Sequence, residues 1–208
     1  MNHLKINFSV LFMKRFYLVF YVFFLIAASP VQASLINNGD GTITDTDRRL
    51  MWLTNSNLTN SPMNWIDSKN WAENLVFSNY DDWRLPSALN RDGTGICFGF
   101  NCSGSEMGHL FYKELLNEAG ITPINTGPFE NIDIMPTSPA YSRYWLSSEL
   151  GCCGAMMFGF FDGDQGGNNK NELAYAWAVR PIPLPAAAWL FGSALLGFFG
   201  FSRRKANA

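Results

Sequence analysis

The chain has 208 residues, of which 48% are hydrophobic and 15% are charged, and its basic and acidic side chains give a formal net charge of -2. This balance offers no basic surface for nucleic acid and no charged tail. Much of the hydrophobic content lies at the two ends, so the middle is a polar stretch, rich in glycine and aromatic residues, of one domain's length.

The first 33 residues have the pattern of a signal peptide. The basic pair Lys14-Arg15 precedes an apolar run over residues 16–28, and Val31-Gln32-Ala33 is a small-x-small cleavage pattern. The sequence therefore predicts export and cleavage after Ala33. An uncleaved membrane helix is the alternative, but Ser29-Pro30 breaks the run.

Short strands and a first helix are predicted next. The turn Asn37-Asn38-Gly39-Asp40-Gly41 tolerates positive φ and lies between apolar stretches, which predicts a β-hairpin. Arg49-Leu50-Met51-Trp52 predicts the following strand. Ser61-Pro62 opens a predicted helix, because proline is tolerated in a first helical turn. One face of this helix is marked by Ile66, Asn70, Trp71 and Leu75.

Residues 80–87 bring aromatic and charged residues together in one short stretch of the middle domain. Trp83 stands beside Arg84, and Leu85-Pro86 ends the stretch. An arginine next to an aromatic residue indicates a guanidinium that is held by carboxylates or carbonyls beneath a ring. We expect Trp83, Arg84 and Pro86 to form a buried structural clasp.

A second helix is predicted after residue 103. Ser103-Gly104-Ser105-Glu106 has capping-box spacing, and Gly120 marks the end of the helix. His109 is the one histidine that remains after signal cleavage. Beside Leu110, it is interpreted as a packed, hydrogen-bonded structural residue and not as a catalytic base. The apolar face of the helix comprises Met107, Leu110, Phe111 and Leu115.

From Tyr144 onward, the spacing of the hydrophobic residues changes to every second position. This alternation predicts a terminal hairpin in which residues 162–171 turn the chain. The outgoing strand carries Met156, Phe158 and Phe160, and the returning strand carries Tyr175, Trp177 and Val179.

The predicted turn carries oxygen donors at alternate positions, as a calcium loop would. Gly166 at its fifth position and Leu173 at its twelfth break the EF-hand pattern. A flexible hairpin loop is therefore favoured, and a looser calcium site on Asp162 and Asp164 is the alternative. The sequence predicts no other cofactor.

All four cysteines, Cys97, Cys102, Cys152 and Cys153, lie in the predicted exported part, where disulfides form. Neighbouring Cα atoms are about 3.8 Å apart, below the usual range of about 4.4 Å and more, so a Cys152-Cys153 bridge would be strained. Either two cross-links join the loops, or Cys97 pairs with Cys102 and the other two behave differently. A four-thiolate zinc site is a further alternative, but adjacent ligands fit its usual spacing poorly.

Several short motifs are spread over residues 39–180: Thr44-Asp45-Thr46-Asp47, Leu50-Met51-Trp52, Asp82-Trp83-Arg84-Leu85-Pro86, Gly104-Ser105-Glu106-Met107-Gly108-His109-Leu110-Phe111-Tyr112, Tyr144-Trp145 and Trp177-Ala178-Val179-Arg180. Together they resemble a bacterial surface-domain family of unknown function that is related to the C-terminal domain of collagen-like adhesins. For residues 34–181 the resemblance implies an α+β, C-type-lectin-like fold with two helices and a twisted antiparallel sheet.

The last segment, residues 182–208, has the pattern of a membrane anchor. Ile182-Pro183-Leu184-Pro185-Ala186 holds the chain extended before an apolar run over residues 187–201, and Arg203-Arg204-Lys205 follows. The run is short of the roughly 30 Å hydrocarbon core, so it spans a membrane only marginally. The basic end should stay in the cytoplasm, which places the domain on the far side.

This segment resembles the VPLPA-CTERM variety of the PEP-CTERM sorting signal, with Pro183, Leu184, Pro185 and Ala186 as its motif and Ile182 where the pattern usually has valine. The resemblance implies processing by an exosortase, a membrane-embedded cysteine protease and transpeptidase of Gram-negative bacteria that make exopolysaccharide. The protein would pass through the inner membrane as a precursor and then reach the cell surface or extracellular matrix. A plain tail anchor is the alternative.

These features predict an exported, sorted and non-enzymatic protein whose domain binds glycans such as the producer's own exopolysaccharide. An envelope enzyme acting on sugars or thiols is a second class, but the sequence shows neither a clustered carboxylate pair nor an activated thiol. A purely structural component of the matrix is the third.

Overall fold

The computed structural model describes residues 35–121, 125–134 and 143–183. The predicted signal peptide lies outside the described residues, as do Leu184, Pro185, Ala186 and the apolar run after them. Pro183, the first proline of the predicted sorting motif, is the last described residue and is exposed. Within these ranges, no helix combines the length and the apolar character that crossing a membrane requires.

The described elements are short and mostly strands. In chain order they are β1 (Leu35–Asn37), β2 (Thr42–Asp45), β3 (Leu50–Leu53), α1 (Trp65–Glu73), α2 (Glu106–His109) with a π-helical turn (Leu110–Glu114), β4 (Arg143–Leu150), β5 (Gly154–Gly159), β6 (Gln165–Asn169) and β7 (Val179–Pro181).

The first sheet has four antiparallel strands in the order β1-β2-β3-β7. The predicted hairpin over residues 37–41 is confirmed, since β1 and β2 pair across it. Gly41 has φ of +84°, and a Cβ there would lie 2.8 Å from the Phe77 ring, so both the turn and the packing require glycine. All four residues of β3 are buried.

Helix α1 begins later than predicted. Asn64 caps it, because its Oδ1 accepts the Asp67 N–H at 2.9 Å, so the predicted start at Ser61-Pro62 is wrong. The predicted face is also shifted: Trp65 is buried, whereas Ile66 is 55% exposed. The start at Trp65 allows its indole Nε1 to donate to the Leu146 carbonyl at 2.8 Å.

Helix α2 is capped by Ser105, whose Oγ accepts the Gly108 N–H at 3.1 Å. The predicted capping box from Ser103 is therefore wrong. The chain then widens into the π-helical turn, in which the Leu115 N–H donates to the Leu110 carbonyl at 2.9 Å. The predicted apolar face is confirmed as buried, and it comprises Met107, Leu110, Phe111 and Leu115.

The second sheet has three antiparallel strands in the order β4-β5-β6. The predicted turn over residues 162–171 is wrong, because residues 165–169 form β6. The predicted return strand is wrong too, since Val179 pairs with Trp52 in the first sheet. Residues such as Gly166 and Gly167 have low β propensity, so tertiary pairing and not local preference makes this strand.

Residues 83–88 join the two sheets. Arg84 and Val179 exchange two backbone hydrogen bonds of 2.9 Å, which attach the segment to β7. The Pro86 carbonyl accepts the Ser147 N–H of β4 at 2.8 Å. The tryptophan-arginine-leucine-proline stretch is therefore a structural crosspiece.

An aromatic core fills the space between these elements. Trp177 makes edge or tilted contacts with Trp52, Tyr144 and Phe160, at ring-centroid distances of 5.3, 5.6 and 5.5 Å. The core cluster and its flanking side chains run from Leu35 to Ile182. We therefore expect residues 34–183 to fold without the terminal segments. The α+β class is confirmed, with two short helices and two antiparallel sheets in place of the single predicted sheet.

Candidate functional site

An open groove of about 510 Å³ lies along the second sheet. Its lining combines an aromatic ring, an aliphatic side chain, glycines and two amides: Phe98, Leu150, Cys153, Gly154, Gly167, Asn168 and Asn169. Phe98 is 59% exposed, which is high for an aromatic side chain. The groove therefore presents an apolar surface and hydrogen-bonding groups together.

Phe98 stands on a loop closed by the disulfide between Cys97 and Cys102. This is one of the two arrangements that the sequence left open. Gly99 and Gln165 exchange backbone hydrogen bonds of 2.7 and 2.9 Å, so the loop pairs with the start of β6. The buried Gln165 side chain also donates to the Cys97 carbonyl at 2.8 Å.

Tyr112 holds the other end of this loop. Its hydroxyl accepts the Asn101 N–H at 3.0 Å and donates to the Gly163 carbonyl at 2.8 Å. Since the loop is braced from both sides, Phe98 is exposed on a fixed support.

The two asparagines of the groove stand at the end of β6 and are exposed. Asn168 Oδ1 accepts the Asn169 N–H, and Asn169 Oδ1 accepts the Asn171 N–H, both at 2.9 Å. In the described part of the chain, neither side-chain NH₂ group donates to a protein atom. Both NH₂ groups are therefore available to a ligand in the groove.

Cys152 and Cys153 are exposed free thiols between β4 and β5. The predictions of two cross-links between the loops and of a four-thiolate zinc site are therefore both wrong, because Cys97 and Cys102 form a disulfide with each other. The hydrogen bond with Cys152 raises the pKa of Cys153. A raised pKa lowers the fraction of reactive thiolate at neutral pH.

Arg84 of the predicted clasp is held by a carboxylate of helix α2. Its Nη2 and Nη1 lie 2.7 and 2.8 Å from the Oε1 and Oε2 of Glu106. Glu106 Oε2 also accepts the Ser87 N–H at 2.8 Å. Trp83 is buried, and its ring packs edge-on against Phe77 at 6.3 Å.

Of the two arginines beside the crosspiece, the one that lies beneath an aromatic ring is Arg180 and not Arg84. Its guanidinium lies 3.8 Å from the centroid of the Tyr80 ring. Its Nε and Nη2 bind the Asp82 carboxylate at 2.5 and 3.1 Å. Two arginine clasps therefore flank the crosspiece, and sequence reasoning found one of them.

The calcium candidates Asp162 and Asp164 already bind protein groups. Asp162 Oδ1 accepts the Asp164 N–H at 2.9 Å, and Asp164 Oδ2 lies 2.9 Å from Arg143 Nη1. Burial raises the pKa of Asp162. A calcium ion would have to displace the Arg143 guanidinium, so the geometry does not favour one here.

A polar cluster that sequence reasoning missed lies where the β2–β3 turn meets α2. His109 Nε2 lies 3.1 Å from Glu114 Oε1 and 3.2 Å from Asp47 Oδ2. One ligand atom each from Asp45, His109 and Glu114 lies within 4.8 Å of the other two. The fold therefore assembles the clustered carboxylates that the sequence does not show.

Burial controls the ionisation of this cluster. It lowers the pKa of His109 to about 4, aided by Arg48, and it raises the pKa of Glu114 to about 7, aided by the charges of Asp45 and Asp47. Burial also raises the pKa of Asp45. His109 is thus a neutral imidazole at neutral pH.

The comparisons with known proteins place these features in a family. The model of the Lcl C-terminal domain matches residues 41–180, which is more than half of the chain. No curated protein matches the chain. The match includes the crosspiece, both arginine clasps and the lining of the groove. The chain belongs to the Lcl C-terminal domain family.

Proposed function

We propose that this chain is an exported, exosortase-sorted protein of the cell surface or extracellular matrix, and that its domain binds glycans without enzymatic activity. Membership of the family indicates a secreted or surface protein. The glycan-binding step rests on one observation: the exposed Phe98 ring and the side-chain NH₂ groups of Asn168 and Asn169 line the same groove.

The chemistry of the groove suits a neutral sugar. A sugar ring has an apolar face that packs on an aromatic ring and hydroxyl edges that accept hydrogen bonds from amide donors. None of the residues that line the groove is an acid or a base that is charged at neutral pH. A neutral stretch of the producer's exopolysaccharide is therefore the expected ligand.

The architecture agrees with a C-type-lectin-like domain. Two short helices and two antiparallel sheets enclose the core, and a disulfide-closed loop presents an aromatic residue at the surface. Fold alone does not assign function, so the proposal depends on the groove.

The absence of enzymatic activity is part of the proposal. Cys153, the thiol of the groove, has a raised pKa, which disfavours nucleophilic chemistry. The carboxylates of Asp45 and Glu114 are enclosed, with Asp45 0% exposed and the Glu114 side chain 3% exposed. A substrate of sugar size could not reach them.

The sorting step rests on the two ends of the sequence. The signal peptide with cleavage after Ala33 directs export, and the motif Pro183-Leu184-Pro185-Ala186 with its apolar run brings the precursor to an exosortase in the inner membrane. Pro183, the first residue of the motif, is exposed and directly follows the packed residue Ile182.

The binding test uses purified residues 34–183, titrated by calorimetry against exopolysaccharide from a producing cell, with and without calcium. We expect saturable binding that Phe98→Ala and Asn168→Ala each weaken by about tenfold, since one stacked ring or one hydrogen bond contributes about 1.4 kcal/mol. Val76→Ala is the matched control, because Val76 is 74% exposed and lies outside the groove.

The outcomes separate the three function classes. Saturable binding that the groove variants weaken supports the proposal, whereas binding that requires Ca²⁺ and is not restored by Zn²⁺ would instead point to Asp162 and Asp164. No binding under either condition would leave a structural matrix component. Shortening of the polysaccharide during the titration would identify an enzyme.

The sorting test replaces Pro183-Leu184-Pro185 with alanines in the full chain, in an exosortase-bearing host. We expect a longer, membrane-bound precursor to accumulate, whereas the unaltered chain is processed. Alanines at Asn168 and Asn169 serve as the control that leaves processing intact. Equal processing of the altered motif would indicate a plain tail anchor.

A further inference from the structure

The polar cluster of Asp45, Asp47, His109 and Glu114 shares no residue with the groove, and glycan binding does not use it. Asp45 ends β2 and Asp47 lies in the turn after it, whereas His109 ends α2 and Glu114 ends the π-helical turn. The cluster therefore connects the first sheet to the helix. It places one imidazole among three carboxylates.

The spacing of these groups suits a small tetrahedral cation. Ligand atoms that lie about 2.0–2.2 Å from a tetrahedral zinc ion are about 3.3–3.6 Å from each other. His109 Nε2 lies 3.1 Å from Glu114 Oε1 and 3.2 Å from Asp47 Oδ2. Asp45 contributes a ligand atom within 4.8 Å of those of His109 and Glu114.

The hydrogen bonding of Asp45 is independent evidence for a ligand at this cluster. The residue is 0% exposed, and its Oδ1 accepts the Arg48 N–H at 2.8 Å. Its Oδ2 is buried and has no hydrogen-bond partner. A buried carboxylate oxygen without a partner is costly, and a cation would satisfy it.

The charges of the cluster also favour a bound cation. Among the described residues, the ion pairs of Asp47 and Glu114 both go to His109, and none of the three carboxylates has a lysine or arginine nitrogen within 4.0 Å. The nearby Arg48 directs its Nη2 to the carbonyls of residues 103–105. Within 4.0 Å the carboxylates therefore have no lysine or arginine to neutralise them, and Arg48 acts on the cluster from a longer distance.

We propose that Asp45, His109 and Glu114 bind a zinc ion, with Asp47 as an outer partner beside His109 on the solvent side. Imidazole with carboxylates is a donor set for zinc, whereas calcium and magnesium take oxygen ligands alone. Because Asp45 and the Glu114 side chain are enclosed, a substrate cannot reach the ion, so the site is structural and not catalytic. It fastens the β2–β3 turn to helix α2. Asp47, with a side chain 44% exposed, provides the route of entry.

The test uses residues 34–183 without an affinity tag. Cys152→Ser and Cys153→Ser are present throughout, so that the exposed thiols cannot bind the metal. The metal-free protein is titrated with Zn²⁺ by calorimetry, with Ca²⁺ and Mg²⁺ in parallel. We expect one Zn²⁺ per chain, a higher unfolding temperature with Zn²⁺, and no comparable effect of the other two ions.

Substitutions in the cluster locate the ion. His109→Gln and Glu114→Gln should each weaken Zn²⁺ binding at least about 100-fold, since loss of an outer partner alone costs about 10–100-fold. Glu118→Gln is the matched control, because Glu118 is an exposed glutamate outside the cluster. Asp47→Asn, at the exposed edge, should keep the fold and weaken binding about tenfold.

Absence of Zn²⁺ binding by the parent protein would overturn the proposal, and so would unchanged binding in Glu114→Gln or Asp47→Asn. X-ray absorption at the zinc edge gives a test that does not depend on the folding of any variant. One imidazole with oxygen ligands supports the site, and sulfur ligands or oxygen alone contradict it.

Discussion

The two sheets use the same antiparallel pairing for different purposes. In the first sheet, β3 is buried at all four positions and Trp52 packs on Trp177. In the second sheet, β5 is buried after its first residue, but β6 runs from a buried Gln165 to exposed glycine and asparagine positions. Both sheets contribute to the core, and the outer strand of the second sheet also presents the groove.

This difference shows that the role of an aromatic side chain depends on whether it is buried or exposed. Trp177 is 0% exposed and donates its indole N–H to the Leu53 carbonyl at 2.8 Å. Phe98 is 59% exposed and is supported from behind by a braced loop. Burial of an aromatic side chain stabilises the fold, whereas the exposed ring is free for a ligand.

The largest expected effect comes from Trp177→Ala. Removing this side chain leaves a cavity and an unpaired Leu53 carbonyl, so the free energy of unfolding should fall by about 3–5 kcal/mol. Phe98→Ala should change it by less than about 0.5 kcal/mol. Urea unfolding of residues 34–183 measures both. Similar losses in the two variants would remove the distinction between core and groove aromatics.

The next effect comes from Arg84→Ala, which leaves Glu106 without its guanidinium. Breaking a fully buried ion pair costs about 3–5 kcal/mol, and the Arg84 side chain is 34% exposed, so we expect about 2–3 kcal/mol. The control is Lys69→Ala, since Lys69 and Glu73 form an exposed pair at 3.9 Å. Urea unfolding would contradict the crosspiece role if both variants lost the same small amount.

A smaller effect is expected from Cys97→Ser with Cys102→Ser. The disulfide closes a loop with a sequence separation of 5, and the entropy of so short a loop corresponds to about 2 kcal/mol. Glycan binding should weaken as well, because Phe98 loses its support. Cys152→Ser with Cys153→Ser should leave stability unchanged. An oxidised parent protein that is no more stable than the Cys97 and Cys102 variant would contradict this.

The smallest effect concerns pH. The hydrogen bond from Arg180 lowers the pKa of Asp82 below its ordinary value of 3.8. A carboxyl group whose folded-state pKa is depressed adds stability above pH 3.8, and this stability is lost as the pH falls through the folded-state pKa. Because the Asp82 side chain is 45% exposed, the contribution should stay below about 1 kcal/mol.

The measurement compares the parent protein with Asp82→Asn by urea unfolding between pH 7 and pH 3. The parent protein should be more stable at pH 7, and the difference should shrink below pH 3.8. A difference that does not change with pH would show that the Asp82 charge is not involved.

The local signals in the sequence predicted part of the fold and little of the site. Turn residues at 37–41 predicted the first hairpin, and apolar spacing predicted the buried face of α2, because both depend on near neighbours. Strand β6 was missed, because glycine and asparagine have weak strand preference and only the pairing with β5 makes it regular. Arg84 was singled out, but its partner Glu106 lies 22 positions away.

The sequence by itself determined the family motifs and the polarity of the middle domain, because short spacings and composition carry them, and the resemblance of those motifs to a known family implied the α+β class. The tertiary structure decided which residues meet. Five positions on an α-helix are about 140° apart, so His109 and Glu114 should face different ways. The π-helical turn instead brings them to 3.1 Å, and a turn more than 60 positions earlier in the chain adds Asp45 and Asp47. The meeting of His109 with Glu114 depends on a π-helical turn that the apolar spacing does not show, and the approach of the two aspartates depends on long-range packing.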